Sequence, residues 1–180
     1  MTTKTKHVVI VGGSATGMAA ALALVHSGQR VTIVEREKLP ACETSVEAFE
    51  QWERSGAPQT RHSHAFLARL HNDIRDKTPA LYEKLLAAGA EIMPFHDMVR
   101  EVYDDPEFIP EDDDIKLLAC RRITFDWVLR GHLATLPEVE LRDGVTVEGL
   151  VAQTDEASGL PRVTGLRIRG DAGSETLAAD

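Results

Sequence analysis

A run of four β-branched residues followed by a glycine-rich segment constrains the fold of this chain more than any other feature. Residues 8–11 (VVIV) predict a strand buried on both faces of a parallel sheet. The glycine-rich residues 12–17 come next, and residues 18–26, rich in Ala and Leu, predict a helix that ends before Gly28. Residues 31–34 (VTIV) then predict a second buried strand. Strand, turn, helix and strand in this order make a βαβ unit.

The glycine-rich turn has the composition of a phosphate-binding turn. Gly12 permits the tight bend, small residues let the backbone approach a pyrophosphate, and Gly17 lets the helix pack closely on the strand. Ser14 stands where such turns normally have a second glycine, but it is small and its hydroxyl can donate to a phosphate oxygen. The free N–H groups and the positive end of the helix dipole favour an anion. The predicted pyrophosphate contacts are Gly12, Gly13, Ser14, Ala15, Thr16 and Gly17.

The end of the second strand carries Glu35, close to the position about 20 residues after the turn where an acid binds ribose. A carboxylate accepts both ribose hydroxyls and repels a 2′-phosphate, which favours FAD or NAD over NADP. Arg36 follows it and could stack on adenine or meet a phosphate. Read from the residues alone, the turn could also be an ordinary strand-to-helix turn, and Glu35 a solvated carboxylate.

The middle of the chain, residues 37–114, reads as a helical excursion from the βαβ core at 7–36. One helix is predicted over 46–54 and helical structure over 65–88, divided near Thr78-Pro79 and ended by Gly89. The acidic residues 111–114 suggest a solvated loop. A strand over 115–119 and a helix over 125–136, capped by Thr124, fill the segment 115–136.

The last 40 residues change character, because short alternating strands with turn residues between them predict an antiparallel meander over 140–180. The fold class predicted is therefore α/β: a Rossmann-like βαβ parallel core with an appended antiparallel β-meander. The chain stops without a helix to finish the layer, which favours an incomplete domain.

Charge and composition exclude some classes of function. The net charge of −9 argues against a nucleic-acid binder or a general attraction to anionic membranes. No apolar run approaches the roughly 20 residues of a membrane-spanning helix, and glycines interrupt the first apolar run too early for a signal peptide.

Cys42 and Cys120 form no disulfide framework or metal spacing. Two reduced thiols in the cytoplasm are the expectation.

Three stretches together carry a family resemblance. They are residues 8–17 with Glu35 and Arg36, residues 56–64 (GAPQTRHSH), and residues 122–129 in the pattern R-x-x-F-D-x-x-L. The chain resembles the N-terminal FAD-binding portion of the flavin-dependent monooxygenase superfamily, which includes aromatic hydroxylases, epoxidases, halogenases and geranylgeranyl reductases. The resemblance covers essentially the whole chain and implies an FAD domain of the glutathione-reductase type.

The resemblance also implies roles for individual residues. The turn would hold the FAD pyrophosphate and Glu35 the adenosine ribose, while Arg61 would face the flavin's phosphate or ribityl side and Arg122 would cap the same cofactor. Without the resemblance, Arg61 could be a surface residue and Arg122 an i,i+4 partner of Asp126. No catalytic residue is predicted.

The nearby histidines are better explained without a metal. His62 and His64 lack a third ligand at metal spacing, so no metal site is predicted, and lining the flavin is the better role for His62.

The implied activity is monooxygenation. Reduced by a transiently bound NAD(P)H, the flavin would react with oxygen and transfer one oxygen atom to a small organic substrate. Three alternatives stay open: an FAD-dependent double-bond reductase, a non-catalytic dinucleotide-binding fragment, and an NAD dehydrogenase. Proteins of this superfamily complete the flavin site after the meander, so a missing C-terminal half or a homo-oligomer is also expected.

Overall fold

A computed structural model describes residues 4–180 of the chain. The described residues up to Ala41, together with Leu129–Asp180, form one unit, and Cys42–Val128 forms a second. Within the described residues, no helix is both long and apolar enough to cross a membrane. In chain order the elements are β1 (His7–Val11), α1 (Ala15–His26), β2 (Arg30–Glu35), α2 (Ser45–Gln51), β3 (Ser63–Phe66), α3 (Ala68–Lys77), α4 (Pro79–Ala87), β4 (Glu91–Pro94), α5 (Phe95–Arg100), β5 (Lys116–Arg121), α6 (Arg122–Leu133), β6 (Val139–Asp143), β7 (Thr146–Thr154), β8 (Pro161–Gly170) and β9 (Gly173–Ala178).

The first unit contains the predicted βαβ core. β1 and β2 are parallel and in register from the pair His7 and Arg30 to the pair Val11 and Val34. α1 connects them and buries Met18, an alanine and a leucine. The α/β class with a parallel core, predicted from the sequence, is confirmed.

β1 differs from its prediction as a strand buried on both faces. Its residues are only half-buried, and Val11 is 60% exposed. The reason is position, because the strand order β1-β2-β6 leaves β1 at the edge of the three-stranded sheet. β2, the central strand, is buried from Val31 to Glu35, as its apolar sequence predicts.

The third strand of the parallel sheet is β6, which the sequence analysis placed in the antiparallel meander. It pairs in parallel with β2, from Val31 opposite Val139 to Glu35 opposite Asp143. A side-chain contact supports this pairing, since the Thr32 hydroxyl donates to Glu140 Oε2 over 2.9 Å. The parallel sheet therefore takes its last strand from the segment directly before the meander, and the meander itself begins at β7.

The meander consists of β7, β8 and β9 in an antiparallel sheet, as predicted. Its inner face shares an apolar core with the parallel sheet: Val34 of β2 packs with Val145, Leu166 and Ile168. Ile168 is fully buried. Apolar burial of this kind is the main stabilising contribution to the unit.

The second unit has a small antiparallel sheet in the order β3-β5-β4. The sequence analysis placed residues 65–66 in a helix and left residues 91–94 unassigned, but both segments are strands that pair with β5. Four-residue strands are too short to show alternation, so periodicity could not separate them from the flanking helices. Helices α3 and α4 are divided at Thr78-Pro79, as predicted.

Four further boundaries and assignments, in α2, in the acidic segment and at both ends of α6, differ from the sequence predictions. Helix α2 ends at Gln51 rather than at residue 54, and the acidic segment Pro110–Asp114 forms a 3-10 turn. Helix α6 begins at Arg122, so Thr124 lies inside the helix and does not cap it. The helix ends at Leu133 rather than at residue 136, and Pro137 accounts for the non-helical backbone at Leu136.

Replacing Ile168 with alanine should lower the free energy of unfolding by about 2–5 kcal/mol, because it removes a buried side chain from the core between the two sheets. Val163 lies on the same strand and is 48% exposed. Val163→Ala is the matched control and should change the free energy of unfolding by about 0.5 kcal/mol or less. Urea unfolding measures both, and equal midpoints for the two variants would contradict the described packing.

Candidate functional site

The turn between β1 and α1 has a backbone that requires glycine at its first position. Gly12 adopts a φ of +103°, in a region that residues with a side chain rarely occupy. Its N–H donates to the Val34 carbonyl oxygen over 2.8 Å, which joins the turn to β2. The turn is therefore anchored to the central strand of the sheet at the point where β1 ends.

The closest approach in the turn is at Gly17. A Cβ at this position would lie 2.0 Å from the Gly12 carbonyl oxygen and 3.2 Å from Ile10 Cγ2. No side chain fits in that space, so only glycine allows α1 to pack this closely on the end of β1. This is the physical reason for the glycine that the sequence pattern singled out.

The N-terminus of α1 presents backbone donors without a competing acid. Ser14 is the N-cap, and its carbonyl oxygen accepts the first helical bond, from the Met18 N–H, over 2.9 Å. The N–H groups of the first turn have no partner within a helix. The first turn holds no acidic residue, and Thr16 is exposed there. This end of α1 therefore favours an anion electrostatically.

Glu35 holds the turn itself. Its carboxylate is buried, and Oε2 accepts the Gly13 N–H over 2.8 Å while Oε1 accepts the Glu37 N–H over 3.0 Å. The sequence analysis predicted only a ribose contact and missed this role. Arg36, the next residue, is exposed.

A second acid lies beside Glu35 at the same edge of the sheet. Asp143 ends β6 directly opposite Glu35, and its Oδ2 accepts from Arg130 Nη2 over 2.6 Å. Val145, just beyond, donates its N–H to the Glu35 carbonyl oxygen over 2.9 Å. The sequence analysis did not single out Asp143 or Arg130. The available signal was the pair Asp143-Gly144 at the end of the alternating segment 139–143 (VELRD), which differs from the continuous apolar run before Glu35.

The predicted cofactor residues Arg61 and Arg122 both lie in the second unit. Arg122 forms the ion pair that its spacing allowed, with its Nε 2.8 Å from Asp126 Oδ1. The Arg122 side chain is 11% exposed and the Asp126 side chain 1%. Burial raises the pKa of the Asp126 carboxyl, and the hydrogen bond from Arg122 opposes that rise. The pair is a buried anchor at the start of α6.

Arg61 lies over an aromatic ring that it shares with a second arginine. The guanidinium carbon of Arg61 is 5.5 Å from the centroid of the Phe49 ring, and that of Arg121 is 4.9 Å from the same centroid. Both arginines are exposed, whereas Phe49 is half-buried. The sequence analysis missed Arg121 and Phe49, because a contact between residues so distant along the chain has no local pattern.

The histidines and cysteines of the described residues form no metal-ligand cluster, and Cys120 is a poor nucleophile. Among the described residues, no three His, Cys, Asp or Glu side chains group as metal ligands. Neither Cys42 nor Cys120 forms a disulfide. Burial raises the pKa of the Cys120 thiol to about 11, and the nearby Asp126 carboxylate contributes to the rise. Cys120 is therefore protonated at neutral pH and cannot act as a thiolate nucleophile.

A family model described as FAD dependent oxidoreductase matches residues 7–142 of the chain. The protein Rv3254 of Mycobacterium tuberculosis (strain ATCC 25618 / H37Rv) is 31% identical over 87 residues, which make up 48% of this chain and 17% of that protein. That match reaches less than half of the present chain.

Two solved structures share the fold over nearly the whole chain. The p-nitrophenol 4-monooxygenase PnpA from Pseudomonas putida DLL-E4 superposes with a TM-score of 0.62 at 20% identity, covering 98% of this chain and 39% of that one. Aklavinone-11 hydroxylase, in a ternary complex with FAD and aklavinone, gives a TM-score of 0.61 at 15% identity, covering 99% and 32%. The chain thus spans well under half the length of either protein.

Gly17→Ala should destabilise the fold by roughly 3 kcal/mol, because the new methyl group would overlap the Gly12 carbonyl oxygen and force the helix away from the strand. Gly131→Ala is the matched control, since a Cβ at Gly131 of α6 meets nothing within 4 Å. The control should be neutral or stabilising by up to about 1 kcal/mol. Thermal or urea unfolding compares them, and a Gly17→Ala variant as stable as the control would refute the close approach.

Cys120 should react with a thiol reagent about a hundredfold more slowly in the native protein than in the unfolded one at pH 8, because its pKa is about 11 instead of 9.0. The Cys42→Ala variant leaves only Cys120 to report, and iodoacetamide labelling followed by mass spectrometry measures the rate. The native rate should keep rising above pH 9, where the unfolded rate levels off. Equal native and unfolded rates would contradict a buried thiol.

Proposed function

The chain belongs to the FAD-dependent oxidoreductase family, and we propose that it is the FAD-binding portion of a flavin-dependent monooxygenase that acts on a small organic substrate. The family match supports the cofactor. The reaction type is supported by the fold that the chain shares with a monooxygenase and a hydroxylase. The resemblance of residues 122–129 to the R-x-x-F-D-x-x-L pattern supports the same assignment.

The observation that carries the proposal is the geometry of the turn from Gly12 to Gly17. A Cβ at Gly17 would strike the Gly12 carbonyl oxygen, and α1 begins immediately behind the turn without an acid in its first turn. The N-terminus of a helix suits a pyrophosphate, because the N–H groups of the first helical turn and the helix dipole stabilise its negative charge. The residues present therefore fit a dinucleotide such as FAD.

Each predicted site residue has a proposed role in this arrangement. The turn over residues 12–17, with the Ser14 hydroxyl, would bind the pyrophosphate through the N–H groups at the start of α1. The Gly12 and Gly13 N–H groups already donate to Val34 and Glu35, so these two glycines would contribute by keeping the backbone close to the ligand. Glu35 would accept a ribose hydroxyl while its carboxylate keeps its bonds to the Gly13 and Glu37 N–H groups. Arg36, exposed beside it, would stack on the adenine or meet a phosphate.

The arginines of the second unit have separate proposed roles. Arg122 would contribute to binding the flavin while its Nε stays bonded to Asp126. Arg61 would bind a phosphate of the cofactor, and its planar guanidinium suits that task because it cannot lose its charge. Neither residue is proposed to transfer a proton, and no catalytic residue is assigned to this chain.

Bound FAD would supply the redox and oxygen chemistry, with NAD(P)H as the transient reductant, while this chain supplies binding and orientation. We also propose that residues 1–180 form the N-terminal part of the FAD-binding domain. The support is coverage, since the chain matches 39% and 32% of the two solved enzymes. The substrate pocket would then be formed largely by further sequence or by a second chain.

Two rival enzyme types differ in what they consume. A double-bond reductase would oxidise NAD(P)H and reduce its substrate without oxygen uptake, whereas a monooxygenase would consume oxygen in step with product. Oxygen uptake measured with the full-length protein and an aromatic substrate separates them. A non-catalytic fragment would bind dinucleotide without turnover, and an NAD dehydrogenase would bind NAD without any affinity for FAD.

Thr16→Asp should weaken FAD binding about tenfold or more, because it puts a carboxylate where the pyrophosphate would lie. The same carboxylate at a helix N-terminus should stabilise α1 by about 0.3–1 kcal/mol, so the effect on binding cannot come from unfolding. Fluorescence titration of the purified chain with FAD measures the affinity, and the visible flavin spectrum reports any FAD retained during purification.

Thr16→Asn is the control, with the same size as aspartate but no charge, and it should bind FAD within about threefold of the unchanged chain. Equal FAD affinity in the Asp and Asn variants would place the pyrophosphate elsewhere. NAD binding without FAD binding by the unchanged chain would overturn the assignment of the cofactor.

A further inference from the structure

We propose that Arg61 and Arg121, held at the ring of Phe49, form a second anion site that binds a phosphate group of a nucleotide. Its three residues all lie in the second unit, and none of them belongs to the turn between β1 and α1. It goes beyond the proposed function by adding Arg121 and Phe49, which neither the sequence pattern nor the family match assigns. Only the identity of the nucleotide rests on the proposed function.

Regular elements fix the positions of these three residues. Phe49 is on α2, and Arg61 is at the end of the 3-10 turn Pro58–Arg61, directly before β3. Arg121 ends β5 and is paired in register with Ser63 of β3. The Arg122 N–H donates to the His62 carbonyl oxygen over 3.0 Å, which closes the end of this strand pair. Because Arg61 lies two residues before Ser63, this strand pairing brings the backbones of Arg61 and Arg121 close together.

Phe49 limits the freedom of both guanidinium groups. Their carbon atoms lie 5.5 and 4.9 Å from the ring centroid, within the range of a cation–π contact. Stacking of this kind restrains the long side chain and leaves the N–H groups at the edge of the guanidinium plane available. Pre-organised donors lower the entropy cost of binding a ligand.

The charge of the pair is not compensated by the chain. Neither Arg61 nor Arg121 has an ion pair or hydrogen bond from its side chain to another residue of the part described, 4–180. Other arginines of this acidic chain form ion pairs: Arg122 pairs with Asp126, and Arg142 pairs with Glu175. Two unpaired cations at one ring are unexpected in a chain of net charge −9.

The two charges are also close enough to act together. Both guanidinium carbons lie near one ring centroid, so they are at most about 10 Å apart, which is the screening length at 0.1 M salt. They repel each other in the absence of a ligand, and an anion that contacts both relieves the repulsion. The arrangement thus favours a ligand with more than one negative charge.

Phosphate is the anion that this arrangement suits best. A guanidinium group binds phosphate through two parallel N–H···O bonds, and two such groups match a doubly charged ester. The ring of Phe49 is half-buried and contacts the guanidinium groups, so it is not offered as a surface for stacking a base. The site would therefore recognise the phosphate of a nucleotide rather than its base. FAD and a nicotinamide dinucleotide are the two possible sources.

The test is calorimetric titration of the full chain with inorganic pyrophosphate at about 50 mM salt, where electrostatic binding is least screened. All variants carry Thr16→Asp, so that the turn before α1 repels the probe and only the second site is measured. Arg61→Gln and Arg121→Gln should each weaken pyrophosphate binding about tenfold or more. Both residues are exposed, so their replacement should leave the unfolding midpoint unchanged.

Arg100→Gln is the matched control. Arg100 also lies over a phenylalanine, with its guanidinium carbon 5.2 Å from the Phe108 centroid, but Asp97 lies 3.8 Å away and compensates its charge. This variant should keep pyrophosphate affinity within about twofold. Loss of affinity equal to that of Arg121→Gln, or no difference among the three variants, would overturn the proposal.

The source of the phosphate is identified by two further titrations of the Arg121→Gln variant without Thr16→Asp. Weaker FAD binding would identify the flavin cofactor, and weaker NADH or NADPH binding to the FAD-loaded chain would identify the reductant. Unchanged affinity for all three nucleotides would overturn the nucleotide assignment. If the unchanged chain binds pyrophosphate at Arg121 but fails to bind FAD, the proposed function fails and this anion site stands.

Discussion

The carboxylate of Glu35 is the interaction on which the first unit depends. It ends the central strand of the parallel sheet, and its two oxygens bind the Gly13 and Glu37 N–H groups, one on each side of the strand end. The turn before α1 can therefore keep its backbone close to β2 while α1 packs against Gly12. The Glu35 carboxylate therefore stabilises the fold. A ribose that binds here would meet a carboxylate that these hydrogen bonds already hold in position.

The βαβ core could be predicted from the sequence because its signals are local. Gly12 is required because its φ is positive, and Gly17 is required because a side chain there would have no room. Both constraints arise within six residues of sequence. The third parallel strand could not be predicted in the same way. β6 joins β2 through pairs such as Thr32 and Glu140, and no local pattern distinguishes a parallel partner from the first strand of a meander. The short strands β3 and β4 were missed because four residues show too little alternation.

The neighbouring residues Arg121 and Arg122 have very different surroundings, although both are arginines at the same end of the small antiparallel sheet. Arg122 fits the R-x-x-F-D-x-x-L pattern, yet the helix that begins there brings Asp126 to its Nε, so its side chain is largely buried in an ion pair. Arg121 lies outside the pattern and ends a strand, where its side chain stays exposed beside Phe49. The change from strand to helix between the two residues leaves the Arg121 side chain exposed and brings the Arg122 side chain to Asp126.

The raised pKa of Cys120 has a consequence for how this chain withstands oxidants. Oxidation of cysteine to sulfenic acid proceeds through the thiolate, and further oxidation beyond it is largely irreversible. A sulfur whose pKa is about 11 carries almost no thiolate at neutral pH. Peroxide that reaches Cys120 would therefore react with it slowly. The desolvation that makes this thiol a poor nucleophile also protects it from oxidative damage.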